Sequence, residues 1–489
     1  MNLNADAHCK PRYRLLDDEQ LQQLHGATLE ILAKVGVSVK YSEALEILRG
    51  AGCRVKDKTT VLIPEHLVAD AIQSAPSSVS VYDREGARAM ELGGNNVYFG
   101  MGTDLLNTYD IETGELRKSC LQDVVNAARV ADYLADIDFI ASHAFPNEVA
   151  TNLAFLSEFK AQVENSTKPI YFTAAAADDL AYIVDMAAAI SGGREELRQK
   201  PFLMHYAEPI SPLTHSEGAL KKLFMCSDAG IPLNYVPALL AGGTGPVTLA
   251  GGIAVANAES LSGLVIQQLY RRGAPMISGI SVTPMDMRTG NCVYGSPDER
   301  LTHTAGTELY HWYGLPVWGE AGCSDSNALD GQAAMESSFQ VLLSALEGCN
   351  LVHDVGYLGQ GLVGSLGSLV MCAEIISYAR RILRGFSLDT EHLALDIMKQ
   401  VGPGGNFLAE MHTVAHCRSE HWLPHNINRV NHEIWSRAGA KTYEDVVNAK
   451  ARDILEKHRP KALPAKVMEA LAAIYHNAEK QLVNKSLAT

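Results

Sequence analysis

Aromatic, histidine and carboxylate side chains gather at the ends of short apolar runs in this 489-residue chain. They are Tyr98, Phe99, Asp104, His143, Phe145, Tyr171, Phe172, His205, Tyr206, Glu208, Asn234, Tyr235, Trp318, Glu320, His353, Asp354 and Tyr357, with Gln360 shortly after. The chain is 7% aromatic, yet most of these runs carry an aromatic at or near their end. A single ring at such a place is ordinary core filling. Taken together the rings suit a cationic, apolar group such as a quaternary ammonium, attracted to ring faces through cation–π contacts. Asp104, Glu208 and Glu320 would add negative potential.

The same residues argue against other chemistries. No lysine ends a run, because Lys168 precedes its own, so Schiff-base catalysis is disfavoured. Glu208 with Glu320 could form a glycosidase pair, but nothing local singles the two out. Gly359-Gln-Gly361-Leu-Val-Gly364 fits the dinucleotide fingerprint formally. It follows the last run and is trailed by ARRILRG rather than an acidic residue, so a tight turn, opening an anion-binding helix start, is the better reading. His412, His416, His421 and His425 recur around Cys417, without the glutamate of a zinc-protease motif. A structural or surface role is expected for them, and no metal site is assigned. Cys323 reads as a small buried residue.

These residues need a scaffold. The runs are VYFGM (97–101), DFIASHA (138–144), PIYFTA (169–174), PFLMHYA (201–207), PLNYVPA (232–238), PMISGIS (275–281), LPVWGEAG (315–322) and NLVHDVGY (350–357). Each is followed by a helical pattern, and eight continuously apolar strands alternating with helices predict a (β/α)₈ TIM barrel of class α/β. A doubly wound sheet is the competing architecture. The chain divides into an N-terminal helical addition (1–95), the barrel (96–384) and a C-terminal helical extension packed on it (385–489). Helices are predicted over Asp18–Val35, from Ser42, and from Pro64 at a first-turn position. A capping box is read at Ser119–Gln122, and Val247–Arg272 reads as one long helix stopped by Gly273. No strands are expected beyond Gly385.

Composition narrows the class further. With 41 basic against 56 acidic residues, a formal charge of −15, neither nucleic acid nor an anionic membrane is an expected partner. Nine scattered cysteines without a C-x-x-C pair read as reduced thiols, and the start carries no signal-type apolar core. A cytoplasmic location is the expectation. The most lipid-like stretch, Val236–Ala258, is interrupted by GGTGP and GG and reads as a loop and a buried helix start.

Four long segments carry a family resemblance: GGTGPVTLAGGIAVANAE (242–259), MRTGNCVYGSPDE (287–299), GLPVWGEAGCSDSNALDGQAAME (314–336) and VGPGGNFL with its following HT (401–413). With TGELRKSCLQD (113–123), they resemble the trimethylamine methyltransferase family over nearly the whole chain. The resemblance implies a (β/α)₈ barrel that moves a methyl group from a methylated amine to the cobalt of a corrinoid protein, with cob(I)alamin on that cognate partner as acceptor. Catalytic members carry pyrrolysine in the loop after the seventh strand. Here ordinary residues, Asn327, Ala328 and Leu329, occupy that region. The departure implies a non-pyrrolysine branch acting on quaternary amines, with glycine betaine methyltransferase nearest in character. A quaternary ammonium carries permanent charge and leaves as a neutral amine, so no covalent electrophile is required.

Glu320 and His353 are the first candidates for the catalytic site, since they end the last two strands and flank this loop. Tyr98, Phe99, Asp104, His205, Tyr206, Asn234, Tyr235, Trp318, Tyr357 and Gln360 are the candidates for substrate binding. A substrate carboxylate would look to His205, His353, Asn234, Gln360 and the amides near Gly361. Self-association into a homo-oligomer is expected. The competing functions are a phosphate-binding barrel lyase or isomerase using the glycine-rich turn, and a non-catalytic quaternary-ammonium-binding protein.

Overall fold

Runs of Val, Ile, Leu and aromatic residues that are apolar on both faces can be satisfied only where both faces are covered. In the computed structural model, which describes residues 8–9 and 11–486, they line a closed parallel barrel. Its strands are β1 (Tyr98–Met101), β2 (139–140), β3 (Ile170–Phe172), β4 (Leu203–Ala207), β5 (Leu233–Tyr235), β6 (Met276–Gly279), β7 (Val317–Glu320) and β8 (Leu351–Val355). Strands β3 to β8 pair in chain order and β8 pairs with β1. Single parallel bridges, Gly100 to Phe139 and Ile140 to Ile170, insert β2 and close the ring. Gly100 permits this closure, because a Cβ there would lie 2.3 Å from the Phe139 ring. All eight expected runs become barrel strands.

The outer helices are α1 (Leu121–Tyr133), α2 (Ala154–Asn165), α3 (Ala177–Ser191), α4 (Glu217–Ala229), α5 (Leu249–Tyr270), α6 (Pro297–Tyr313), α7 (Gly331–Glu347) and α8 (Leu366–Arg384). Helix α1 starts one residue later than the sequence suggested. Asp123 accepts from the Cys120 amide at 2.9 Å, while the Ser119 hydroxyl is drawn away to the Leu105 carbonyl at 2.6 Å. Helix α5 is apolar all round and long enough to cross a membrane, but the fold buries 78% of its most apolar window. Helices Asp18–Glu30, Ser42–Gly50 and Glu65–Ser74 of the N-terminal addition lie against it. The first of these ends in a π turn, Ile31–Val35, and Pro64 caps the third from just outside it rather than from within its first turn.

The lower, amino-terminal end of the barrel is closed by the hairpin Val79–Tyr82/Arg88–Leu92. Its Tyr82 and the following Arg84 donate backbone amides to Pro201 and Thr167, each at 2.9 Å. Lys168 lies at the same end, donating to the carbonyls of Ala131, Leu134 and Ile137 at 2.6 Å each.

Beyond the barrel, Phe386–Ser387 forms a short antiparallel pair with His8–Cys9, a strand where none was expected. Then come α9 (Thr390–Leu393), α10 (Leu395–Val401), α11 (Met411–Glu420), α12 (His432–Arg437), α13 (Tyr443–Lys457) and α14 (Ala465–Ser486). Helix α13 packs on α8 and α1, and α14 on α3. Helices α9 to α12 bury no residue at all.

Candidate functional site

Side chains alternate along each strand, so every barrel residue points either to the axis or to the helices. Tyr171 of β3, Tyr206 of β4, Trp318 of β7 and His353 of β8 meet at the axis. Tyr171 and His353 ring centroids are 4.7 Å apart, Tyr171 and Tyr206 are 5.8 Å apart, and Trp318 lies 6.4 Å from Tyr206 and 6.0 Å from His353. Tyr357 extends the group, 6.3 Å from His353. Asn234 of β5 fixes this layer from the side. It accepts from the Tyr171 hydroxyl at 2.5 Å and donates to the Ile277 carbonyl at 2.9 Å.

Rings this close are in contact, so nothing the size of a trimethylammonium fits between them. They form a floor, and a cation would rest on its upper side, within about 6 Å of several ring faces. Tyr206 is the half-exposed member, and its hydroxyl donates to the exposed Glu208 at 2.8 Å. Burial pushes the Tyr171, Tyr206 and Tyr357 hydroxyls well above the usual tyrosine range, so they remain neutral donors. Asp104, half-buried at the rim, accepts from Ser142 at 3.1 Å and Thr173 at 2.9 Å. Burial and the neighbouring Asp104 push Glu158 well above the usual carboxylate range.

The backbone around this mouth is strained. Asp104, His143, Asp354 and Gln360 all hold left-handed φ values, +60°, +56°, +77° and +62°. Such conformations cost on the order of 1 kcal/mol or more each and collect at functional sites.

Glu320 stands on a buried ionic network that strand-end reasoning missed. His303 of α6 places Nε2 2.9 Å from Glu299 Oε1 and 3.0 Å from Glu320 Oε2. Arg300 holds Glu299 at 2.5 Å and donates to the Glu320 carbonyl at 2.7 Å. Ser281 donates to Glu320 at 3.1 Å. Burial alone would lower the His303 pKa, but the Glu299 carboxylate and the hydrogen bonds to Glu299 and Glu320 outweigh it and hold it up at about 9. Burial, helped by the Asp354 charge, pushes Glu320 above its ordinary value.

Glu299, His303 and Glu320 are spaced as metal ligands could be. Two carboxylates, one arginine and one protonated imidazole already balance, however. A metal would have to displace a proton held to about pH 9 and compete with Arg300 for Glu299. The set fits an ion network, not a metal centre. The only sequence signal was Glu299 and His303 at i and i+4 on one helix.

His353 is buried, with Nδ1 2.6 Å from Asp354 Oδ1 but poorly aligned, and neither ring nitrogen has a hydrogen-bond partner. Gln360 is half-buried and donates its amide to the Ser324 carbonyl at 3.1 Å. The GQGLVG motif is the tip of a hairpin, β9 (Tyr357–Leu358) and β10 (Val363–Gly364), not a helix start; α8 begins later, under the Ser365 cap. This hairpin interlocks with the loop after β7. Ser324 donates to the Tyr357 carbonyl at 3.1 Å, and Gly359 donates to that of Ser326 at 2.8 Å. Ser324 is anchored in turn to Glu336 at 2.5 Å. Asn327 and Ala328 are exposed on the outer rim, with the Asn327 carbonyl held by the Tyr109 hydroxyl. Leu329 is half-buried towards Gly367 of α8.

Four expected pocket residues lie elsewhere. His205 and Tyr235 alternate with the inward Tyr206 and Asn234 and therefore face the helices. His205 packs on Phe172 at 4.8 Å, and Tyr235 bonds His215 at 2.8 Å beside Gly263 of α5. Tyr98 begins β1 at the lower end, its hydroxyl accepting from the Glu91 amide at 3.1 Å. Phe99 is buried in the main core and has no ring contact with the axial layer. Lys222, which sits on α4 and not at a strand end, donates to the Ala174 carbonyl at 2.7 Å near the mouth. Burial lowers its pKa against the opposing pull of Asp179, Glu208 and Asp104. His412 and His416 pair on α11 at 4.5 Å, but His421 and His425 diverge from them and form no ligand set among the described residues. Cys323 is buried and donates to Gln340 at 3.3 Å.

Comparison with known proteins fits this geometry. The chain is 34% identical over 468 residues to a trimethylamine methyltransferase of Desulfitobacterium hafniense (strain DSM 10664 / DCB-2), covering 95% of this chain and 94% of that one. It is 29% identical over 474 residues to a glycine betaine methyltransferase of Desulfitobacterium hafniense (strain Y51), covering 96% and 98%. Among solved structures, the monomethylamine methyltransferase of Methanosarcina barkeri superposes with a TM-score of 0.52 at 11% identity, over 97% of this chain and 88% of that one, a likeness of fold. A family model described as trimethylamine methyltransferase matches residues 3–482, and the chain is a methyltransferase belonging to that family.

Proposed function

We propose that this methyltransferase takes a methyl group from a quaternary amine, glycine betaine first, and passes it to cobalt(I) of a corrinoid carried by a partner protein. The observation that carries the reading is the aromatic floor of Tyr171, Tyr206, Trp318 and His353, with ordinary residues at Asn327, Ala328 and Leu329 on the rim above. A trimethylammonium on that floor presents one methyl up the barrel axis. The acceptor attacks that carbon in line, a Co–C bond forms, and the C–N bond breaks with both electrons staying on nitrogen. Glycine betaine leaves as dimethylglycine, and no proton moves.

The site then supplies position and exclusion of water. Positive charge vanishes along this path, so groups that bind the cation too strongly would hold back the reaction. Rings worth about 0.5–2 kcal/mol each meet that condition better than a close carboxylate. Two carboxylates touch the floor at its edge: Glu208, engaged by the Tyr206 hydroxyl at 2.8 Å, and Asp354, 2.6 Å from His353. With His205 turned outward and Asn234 occupied by Tyr171 and Ile277, His353 and Gln360 are the donors left for a substrate carboxylate, and Lys222 joins them from α4. We place the enzyme in the cytoplasm and expect it to act as a homo-oligomer.

The test is incubation with cob(I)alamin or a cognate corrinoid protein and a panel of amines: glycine betaine, proline betaine, carnitine, γ-butyrobetaine, choline and trimethylamine. The methylcorrinoid spectrum and the demethylated amine are followed. Methyl transfer from a betaine and not from trimethylamine is expected. Equal transfer from trimethylamine, or none from any quaternary amine, would overturn the proposal.

A further inference from the structure

Helices α9 to α12 and their connections, residues 386–437, are the least covered part of the molecule. Of the 28 exposed large apolar side chains among the described residues, 13 fall in this tenth of the chain. Leu408 is 79% exposed, Met411 77%, Leu423 62%, Val414 61%, Leu395 54% and Met398 52%. Yet the segment has a defined path. Asp389 caps α9 and Asn431 caps α12. Arg381 of α8 donates to the Glu420 carbonyl at 2.6 Å, Arg384 donates to that of Ser419, and Glu374 receives the amide of His425 at 2.8 Å. One side is thus tied to the body by polar contacts, and the other presents aliphatic surface to solvent.

Four helices without a buried residue cannot offset the entropy of ordering them. Something must cover them, and no other described residue of the chain does. The methyl acceptor is also the wrong occupant. In a (β/α)₈ barrel each helix runs from the mouth back to the lower end. Arg381 and Arg384 close α8, so α9 and α11 are rooted at the lower end, opposite the aromatic floor. A patch rich in Leu, Met and Val, longer than the roughly 20–30 residues a standard interface uses per side, has the composition of an obligate homodimer contact.

We propose that residues 386–437 form an arm that packs against a second copy of this chain, most simply the same arm across a two-fold axis. The exclusion of the corrinoid partner rests on the function proposed above; the arm's need for a cover does not.

The experiment is light scattering of the purified full chain beside a Leu408→Asp, Met411→Asp double variant, both substituting exposed residues remote from the floor. The wild type is expected at twice its 52.9 kDa chain mass or a multiple of that, and the variant at half the wild-type mass or less. Should the variant not fold, hydrogen exchange of the wild type over residues 390–420 decides: protection that increases with protein concentration supports the arm. A monomeric wild type with concentration-independent exchange overturns the proposal. So does a variant that keeps the wild-type mass, including one that keeps it while losing transfer to the corrinoid protein, which would make the arm a docking site for the acceptor. Failure of the methyl-transfer assay alone leaves the masses unchanged and bears only on function.

Discussion

Glu299→Gln would remove one charge from the network beneath Glu320 while preserving side-chain volume. In the native protein Glu299 is fully buried, and its partners Arg300 and His303 are 7% and 2% exposed. Its loss leaves Arg300 and a protonated His303 facing Glu320 alone, one positive charge in excess. Breaking a buried pair in this way costs about 3–5 kcal/mol. At about 2.1 cal/mol/K per residue, unfolding of 489 residues carries an entropy near 1 kcal/mol/K, so Tm should fall by about 3–5 °C. A second signature lies in the pH dependence. His303 is raised above its unfolded value of 6.5 to about 9, so its stabilisation is complete below pH 6.5 and is lost as pH rises through 9. Glu259 and Glu347, raised by burial from 4.5 to about 7, lose their contribution earlier, between pH 4.5 and 7. Lys168, lowered by burial from 10.5 to about 8, acts the other way above pH 8 but equally in both proteins. The part of the pH 7 to 9 slope that the variant loses therefore belongs to His303, because the charge that holds its proton is gone. Calorimetry across that range measures both effects. A Tm shift under about 1 °C at pH 7, with the slope from pH 7 to 9 unchanged, would show that the network is not a charged one.

Three further outcomes are expected. Tyr206→Leu removes one ring of the floor and should raise KM for a quaternary amine roughly 2- to 30-fold, the equivalent of about 0.5–2 kcal/mol, while Tm changes little; an unaltered KM would take Tyr206 out of the site. His353→Ala should impair both affinity and turnover in the methyl-transfer assay, and unchanged values for both would remove His353 from the site. Gly102→Ala would bring a Cβ to 2.0 Å from Tyr357 Cζ, whose hydroxyl is fixed on the Thr103 carbonyl at 2.5 Å. The overpacking should cost about 1–3 kcal/mol in thermal unfolding, and wild-type stability in that variant would mean that Tyr357 is free to move.

The barrel could be read from the chain because strands covered on both faces are continuously apolar, and that pattern marks each one whatever its neighbours do. The same property hid the site. A strand with water on one side betrays its orientation by alternation, but Leu233, Asn234 and Tyr235 are all fully buried, so nothing local says that Asn234 looks inward and Tyr235 outward. Tyr206 and Trp318, by contrast, reached the axis where rings were expected. Arg300, His303 and Lys222 escaped notice because they sit on helices, and a search of strand ends never meets them. The exposed arm was invisible for a different reason. Its Leu, Met and Val look in the sequence like those of any packed helix, and only the fold shows that no described residue covers them.

The hairpin bonded to Pro201 and Thr167 covers the lower end of the barrel, which leaves the aromatic floor to be approached from the mouth. For the function proposed, both reactants must use it, and that imposes a sequence on turnover. The amine has to be seated before the corrinoid protein docks over the opening, and the demethylated product stays behind until the partner leaves. Steady-state patterns should be sequential with the amine first. An excess of the acceptor protein should slow the enzyme, by covering mouths in which no amine is yet seated.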